Sequence, residues 1–291
     1  MLVSVIIVTC GAHDHFAACL ESVKNQAGPR PEILVIDDSA GNIFYAGALN
    51  KGIAMSNGEF ILCLNDDVVL DKDFIREALR GFSAGEKIGM VSGKVLRPDT
   101  VTIDSTGLSP SLFRTARERG YGRRDRGQFE KEGYVFGVTG AAAFYRRDML
   151  DDVRCDNEYF DPDFRMFYED LDVAWRARNR GWKGYYVPRA IAFHVRGASV
   201  RAKGGIGRKY ARRYIADDLH VDLIKNRYLC VIKNESAAGF IAHLPFMLAY
   251  DLVCWLYLVL FRFGVVKKFF KRAVAYKAVY NKRNRRFDIL T

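Results

Sequence analysis

Residues 2–9 (Leu-Val-Ser-Val-Ile-Ile-Val-Thr) form an almost unbroken β-branched run, the pattern of a strand buried on both faces. Phe16, Cys19, Leu20 and Val23 then recur at helical spacing and predict a helix over 16–25. A Gly-Pro-Arg-Pro run at 28–31 breaks the pattern, and a second strand follows at 32–36. A second helix over 44–56 carries Ala46, Leu49, Ile53 and Ala54 as its apolar stripe, and Asn57-Gly58 ends it. Residues 61–64 (Ile-Leu-Cys-Leu) make a third strand. Strands alternating with helices across tight turns predict an α/β fold, with a mostly parallel sheet and right-handed crossovers. The same reading places a helix at 73–82, a strand at 89–96 and a helix with an acidic start within 161–180. Short strands follow at 182–187 and 190–195. Residues 98–132 are polar and rich in Gly and Arg and read as one long loop, functional or mobile; apolar character resumes at 134–147.

Beyond about residue 200 the pattern changes. Residues 201–213 are a Gly- and Lys/Arg-rich linker, 217–233 look helical, and 244–261 are apolar except for Asp251, with Pro245 near the start. At ~1.5 Å per residue that run reaches roughly 27 Å, just short of a hydrocarbon core. Arg262, Lys267, Lys268, Lys271 and Arg272 follow, interleaved with Phe263, Val265, Val266, Phe269 and Phe270, a basic amphipathic pattern suited to anionic headgroups. Charge sharpens this division. Residues 1–200 hold 26 Lys+Arg against 28 Asp+Glu, whereas residues 201–291 hold 19 against 6. The whole excess of +11 therefore belongs to the C-terminal third, which calls for an anionic partner surface. The six cysteines form no CxxC pair and read as reduced core thiols, which suits the cytosol. The first strand is too short, and lacks the basic lead, for a signal peptide.

Candidate chemistry gathers at strand ends. The strand at 61–64 runs straight into Asn65-Asp66-Asp67, and the strand at 32–36 into Asp37-Asp38. Bare carboxylates cannot stay inside a buried strand. They must emerge at its C-terminal end, where open α/β sheets bind ligands, and in a parallel sheet both sets converge on one edge. Hard oxygen groups there suit Mg²⁺ or Mn²⁺ holding a diphosphate; a solvated acidic turn is the other reading of the same residues. Asp37 and Asp38 either bond a nucleobase or ribose or cap the next turn. Glu169-Asp170-x-Asp172 at a helix start offers a general base with neighbours that orient an acceptor, or simple capping. His194 is either a satisfied core histidine or, beside a metal, a further ligand. The sequence has no P-loop, GxGxxG, HExxH or nucleophile elbow.

Together these stretches resemble the family 2 nucleotide-sugar glycosyltransferases of GT-A (Rossmann-like) fold. The resemblance rests on Val3-Ser-Val-Ile-Ile-Val-Thr9, Ile36-Asp37-Asp38, Ala46-Gly-Ala-Leu-Asn-Lys-Gly-Ile53, Gly58-Glu-Phe-Ile-Leu-Cys-Leu-Asn-Asp-Asp67, Gly140-Ala141, Tyr168-Glu-Asp-Leu-Asp172 and His194, in consistent order over residues 1–200. It implies a catalytic domain at 1–200 and a basic, amphipathic, membrane-associating helical region at 201–291. Thr9, Asp37 and Asp38 would line the nucleoside pocket and Asn50 would sit near the donor. Asn65-x-Asp67 would stand in for the family's D-x-D, with Asp67 on Mg²⁺ or Mn²⁺ and Asn65 or Asp66 near ribose and diphosphate. His194 would complete the metal site. Asp170 would be the base, with Gly140, Ala141, Glu169 and Asp172 on the acceptor side, and attack would be direct with inversion. Two departures stand out: Asn65 replaces the first acid of the motif, and the short stretch from Asp38 to Phe44 trims the nucleoside pocket.

The Asn-x-Asp variant and the Arg-Asp-Arg-Gly-Gln-Phe segment at 124–129 resemble rhamnosyltransferase-like members, which implies a dTDP-rhamnose donor. The C-terminal third resembles helices that approach a polyprenyl-diphosphate-linked glycan acceptor at the cytoplasmic face of the inner membrane, peripherally or monotopically. The linker at 201–213 would close over the donor diphosphate or touch the acceptor's phosphates. Two other classes compete. A sugar nucleotidyltransferase usually carries a Gly-rich basic loop after its first strand, where this chain has Cys-Gly-Ala-His-Asp-His at 10–15. A basic nucleic-acid binder rarely interleaves its charge with an 18-residue apolar run, so no nucleic acid is expected. Asp251 and Pro245 lead us to expect the run at 244–261 to be interfacial or re-entrant rather than to cross the membrane, with a plain core helix as the alternative.

Overall fold

The computed structural model describes residues 1–11, 13–41, 43–196 and 215–272. In chain order the elements begin β1 (Val3–Thr9), α1 (Asp14–Lys24), β2 (Glu32–Asp37), α2 (Phe44–Met55), β3 (Phe60–Asn65), β4 (Val68–Leu70), α3 (Phe74–Gly81) and β5 (Ile88–Leu96). Then come β6 (Ile103–Ser105), β7 (Leu108–Pro110), β8 (Ala116–Glu118), β9 (Gly133–Val135), β10 (Ala142–Arg146), α4 (Arg147–Val153), α5 (Glu169–Asn179) and β11 (Lys183–His194). Three helices finish the described chain, α6 (Asp217–Asn234), α7 (Ala237–Phe261) and α8 (Phe263–Arg272).

One sheet runs in the order β2-β1-β3-β10-β5-β11-β4, with β6 on β5 and β9 on β11. β1, β2, β3, β5 and β11 share one direction, while β10 is inserted antiparallel between β3 and β5 and β4 lies antiparallel to β11. Alternation along β1 assigns the two faces. Val3, Val5 and Ile7 pack with Cys19 and Val23 of α1 and Phe74, Ile75 and Ala78 of α3. Ile6 and Val8 pack with Leu49 and Ile53 of α2, Met149 of α4 and Val173 of α5. α2 lies so close to β1 that a Cβ on Gly52 would sit 2.4 Å from the Ile6 Cγ2, which is why only glycine fits there.

Two expectations need correction. Residues 98–132 are not one loop: β6 extends the sheet, and β7 and β8 form a hairpin of their own. The strands expected at 182–187 and 190–195 are one strand, β11, whose pairing with β5 shifts between Val187 and Ile191, around Pro188. The sheet is mostly parallel as expected, with β10 inserted antiparallel.

The C-terminal helices are built onto this frame. Leu229 and Cys230 of α6 enter one core with Phe164, Leu171 and Trp175. Val221 and Ile224, elsewhere on the same helix, pack with Leu258 of α7 and Val265, Val266 and Phe269 of α8. The basic linker expected at 201–213 and the basic tail at 281–286 lie outside the described residues.

Candidate functional site

Register brings the acid-bearing strand ends together. Thr9 pairs with Asp37 and Val8 with Asn65, so the ends of β2, β1 and β3 stand side by side. The Cys10 thiol reports the result: its pKa is raised by burial first and then by the charges of Asp66, Asp38 and Asp37. Thr9 is buried, with its hydroxyl donating to the Gly11 carbonyl at 2.8 Å. The Asp37 carboxylate accepts from the Ser39 N–H (2.8 Å), and that of Asp38, largely buried, from the Ile43 N–H (3.2 Å). Both shape the short loop after β2, as Asp commonly does.

Just beyond β3, the Asp66 carboxylate meets His13 Nε2 at 2.9 Å, while His13 Nδ1 accepts the Phe16 N–H and caps α1. Asp67 Oδ1 lies 3.2 Å from His194 Nε2 at the end of β11. The other ring nitrogen of His194 is 2.8 Å from Asp104, whose carboxylate also takes Arg97 and Arg196 at 2.6 and 2.8 Å. Burial lowers the His194 pKa, but hydrogen bonds to Asp104 and Asp67 outweigh it and the net shift is upward. Among the described residues no group of three or more His, Cys, Asp or Glu is arranged as a metal cage. Two adjacent protein ligands nonetheless suit Mg²⁺ or Mn²⁺, which keep water and take phosphate oxygens as further ligands. The carboxylate of Asp104 behind His194 fixes the ring so that Nε2 faces Asp67, the outer-shell arrangement common around metals.

A second group lies at the start of α5. The Asp170 carboxylate accepts the Gly140 N–H at 2.8 Å and the Leu171 N–H at 2.7 Å. A Cβ on residue 140 would come 3.1 Å from Asp170 Oδ2, so glycine admits this contact at its tightest point. Tyr45 ties the two groups together. Its hydroxyl donates to Asn65 Oδ1 (2.6 Å) and lies 3.2 Å from the Gly140 carbonyl, while the Asn65 N–H donates to the Ala141 carbonyl (3.0 Å). Asn65 thus braces the strand end against the Gly140-Ala141 turn.

Burial divides the two adjacent carboxyls of α5. Glu169 is 7% exposed, its Oε2 has no hydrogen-bond partner among the described residues, and burial pushes its pKa up to about 8. Burial also raises Asp170, but the Gly140 and Leu171 N–H groups oppose the shift. With two N–H groups on its carboxylate, Asp170 is the better placed of the two to carry charge. A narrow crevice lined by Tyr45, Tyr145, Phe160, Gly140, Glu169 and Asp170 runs beside them.

The approach to α5 is strained and held from outside. Arg165, Phe167 and Tyr168 have φ of +58°, +71° and +71°, costly for non-glycine residues. The Asn226 side-chain amide of α6 lies 2.7 Å from the carbonyls of Phe164, Met166 and Phe167 and fixes that path.

Two expected site residues have other tasks. The Asn50 amide bonds the backbone of Tyr159 and Phe160 through three contacts of 2.6–3.0 Å, so it pins the 159–160 segment instead of a donor. Asp172 is fully buried among Arg176 (2.9 Å), Lys233 (3.0 Å) and Asn234 (2.7 Å), so it joins α5 to α6 and has no face for an acceptor. Conversely, His13, Tyr45, Asp104, Arg196 and Asn226 escape the sequence reading. Only His13, in the loop after the first strand, and Arg196, two residues past His194, carry a local hint.

A family model described as "Glycosyltransferase like family 2" matches residues 1–213. Among curated proteins, the chain is 22% identical over 267 residues to a poly-beta-1,6-N-acetyl-D-glucosamine synthase of Staphylococcus aureus, covering 89% of this chain and 57% of that protein. The synthase of the same name from Staphylococcus epidermidis is 24% identical over 204 residues, or 60% of this chain and 45% of the relative. The chain thus spans about half the length of the curated relatives it matches. Among solved structures, a mannosyltransferase from Pyrobaculum calidifontis in complex with GDP-Man and Mn²⁺ superposes with a TM-score of 0.54, at 14% identity over 97% of this chain and 84% of that one. Staphylococcus aureus TarS gives a TM-score of 0.54 at 14% identity, over 85% of this chain and 43% of its own. These likenesses make the fold a GT-A-like α/β fold with a mixed, mostly parallel sheet.

Proposed function

As the chain belongs to the family 2 glycosyltransferases, we propose that it is a metal-dependent inverting enzyme acting from a nucleoside-diphosphate sugar onto a hydroxyl of a lipid-linked or cell-surface glycan. One observation carries this reading. A half-buried, backbone-held carboxylate (Asp170) and a carboxylate–histidine pair (Asp67–His194) stand at one sheet edge, linked through Gly140, Tyr45 and Asn65. In this reading Thr9, Asp37 and Asp38 face the nucleoside, and Asp66 faces the ribose or diphosphate. Asp67 and His194 hold Mg²⁺ or Mn²⁺, which when bound neutralises charge on the departing diphosphate. Asp170 takes the proton of the acceptor hydroxyl as its oxygen bonds to the anomeric carbon. The bond to the diphosphate breaks on the opposite side, its electron pair leaves with the diphosphate, and the configuration inverts.

The donor assigned first is dTDP-rhamnose, on the sequence of the 124–129 segment and the Asn-x-Asp motif alone. That segment folds onto the sheet through the Lys94–Asp125 pair and the Tyr186–Phe129 hydrogen bond, both 2.9 Å, and adds no group to the site described above. A lipid-linked acceptor at the cytoplasmic face of the inner membrane agrees with the exposed apolar surface of α7.

The test is release of nucleoside diphosphate from a panel of dTDP-, UDP- and GDP-sugars with Mn²⁺ and a lipid-linked glycan fraction. One donor class is expected to turn over, and to stop when EDTA is added. Turnover that persists in EDTA would overturn the metal-dependent reading, and no turnover of any donor would overturn the transferase reading.

A further inference from the structure

α7 is 25 residues long and holds an 18-residue stretch with a mean hydropathy of 1.9, so it is long and apolar enough to cross a bilayer. Its two faces are inverted relative to a helix on a water-soluble surface. The outward face carries no charge: Ile241, Leu248, Leu252, Leu256 and Phe261 are 57–72% exposed. The polar groups lie on the inner face and are bonded to the body along its whole length. His243 meets Arg114 at 3.0 Å, Asp251 meets Arg227 at 2.5 Å, and Trp255 donates to the Tyr228 hydroxyl at 3.0 Å. Arg262, just past the helix, meets Asp217 at 2.6 Å. Arg114 lies between β7 and β8, whereas Arg227, Tyr228 and Asp217 belong to α6, so α7 is tied to α6 by side chains at both its middle and its end.

α6 in turn cannot leave the body. Lys225 donates to the Asp163 carbonyl at 2.6 Å, Asn226 holds the 164–167 carbonyls, and Lys233 is paired with Asp161 and Asp172. An upright α7 would carry this charged helix, and the glycosyltransferase domain bonded to it, into hydrocarbon, where charges are costly.

We infer that α7 lies flat in the cytoplasmic leaflet of an anionic bilayer, its apolar face among the acyl chains and its polar face against α6. The inference rests on the membrane-facing acceptor proposed above and fixes its geometry. Charge complementarity selects the occupant. α8 continues the surface with exposed Phe263 and Phe270 beside exposed Lys267 and Lys271, a basic rim for anionic headgroups. A flat α7 also sets the height of the reaction centre. The α6 that backs it is bonded directly to Asp172 of α5 and to the strained turn before Asp170.

The test is nitroxide depth profiling on vesicles of 3:1 phosphatidylcholine and phosphatidylglycerol. Single labels are placed at Ile241, Leu248, Leu252 and Leu260 of the full chain, with Cys10, Cys155 and Cys254 replaced by Ser. All four labels are expected at one shallow depth, about 5–10 Å below the headgroups. A depth that changes steadily along the series would show a crossing helix and overturn the inference. Labels that stay in water, or become buried only as the chain dimerises in sedimentation, would overturn it too, the latter by making a second copy the occupant. In a second arm, the L252D/L256D variant is expected to lose vesicle binding about tenfold or more. Unchanged binding, or equal binding of the wild type to vesicles of phosphatidylcholine alone, would contradict the anionic surface. Nucleoside diphosphate release in detergent is scored separately, so failure of the topology leaves the transferase reading to its own test.

Discussion

Asp170→Asn is expected to lower kcat about 10³-fold while leaving nucleotide binding and thermal stability near wild type. A positioned general base contributes on the order of 10²–10⁴ in rate. The variant removes the basic charge and keeps one oxygen, which can accept either the Gly140 or the Leu171 N–H but not both, so the cost to stability is about one hydrogen bond, roughly 1 kcal/mol. Glu169 is a poor substitute, because it is buried and its Oε2 has no hydrogen-bond partner among the described residues to hold a charge. The pH profile separates a base from a bystander. Burial raises the Asp170 pKa, so the wild-type rate should climb with pH along a limb displaced above the usual carboxylate range. The residual rate of the variant should lack that limb. Initial rates of nucleoside diphosphate release from pH 5 to 9 measure both. A loss under tenfold, or an unchanged limb, would remove Asp170 from the role.

Asp172→Ala is expected to cost about 3 kcal/mol, since breaking a buried ion pair from one side leaves uncompensated charge. For a chain of this size that is a fall in Tm of roughly 6–12 °C. Arg176 and Lys233 are both almost fully buried against this carboxylate, and Asn234 bonds its other oxygen. Burial alone would raise the Asp172 pKa, but Lys233 and Arg176 outweigh it and hold it below the usual value. The stabilisation it lends is therefore present above the unfolded-state carboxylate pKa and is lost as pH falls through the depressed folded value. Thermal unfolding at pH 7 and about pH 2.5 checks this: the gap between wild type and variant should be large at pH 7 and narrower at the acid pH, below the unfolded-state carboxylate pKa. A Tm change under 2 °C at pH 7 would show that the α5–α6 joint does not depend on this residue.

These two predictions separate adjacent acids that look alike in sequence, which shows what the sequence can carry. Local pattern gave the parallel strands, because β-branched runs ending in Thr9, Asp37 and Asn65 need no distant information. It also gave α1, α2, α3 and α6 to within about two residues of their ends. It failed where a short segment owes its form to a neighbour. β10 has five residues and becomes an antiparallel insert only because β3 and β5 flank it. β6, β7 and β8 have three residues each and leave no period to read. The same limit applies to roles. Asp172 follows Asp170 by two positions, and only the arrival of Lys233 and Asn234 from α6 distinguishes a structural acid from a reactive one. Asn50 sits in a matched motif, yet its amide is held by the 159–160 backbone. Asp104 stands behind His194 from 90 residues away, a pairing no local signal encodes.

The most direct test of the central claim is metal-linked nucleotide binding, read by thermal shift on wild type and Asp67→Ala. dTDP, UDP and GDP are each compared with Mn²⁺ and with EDTA. At 100 times the Kd a ligand adds about 2.7 kcal/mol to stability, so one nucleotide with Mn²⁺ should raise the wild-type Tm by several degrees. EDTA and Asp67→Ala should each abolish that rise. Stabilisation that survives both would contradict the placement of the metal–diphosphate site at Asp67 and His194, and stabilisation by no nucleotide at all would contradict the transferase account.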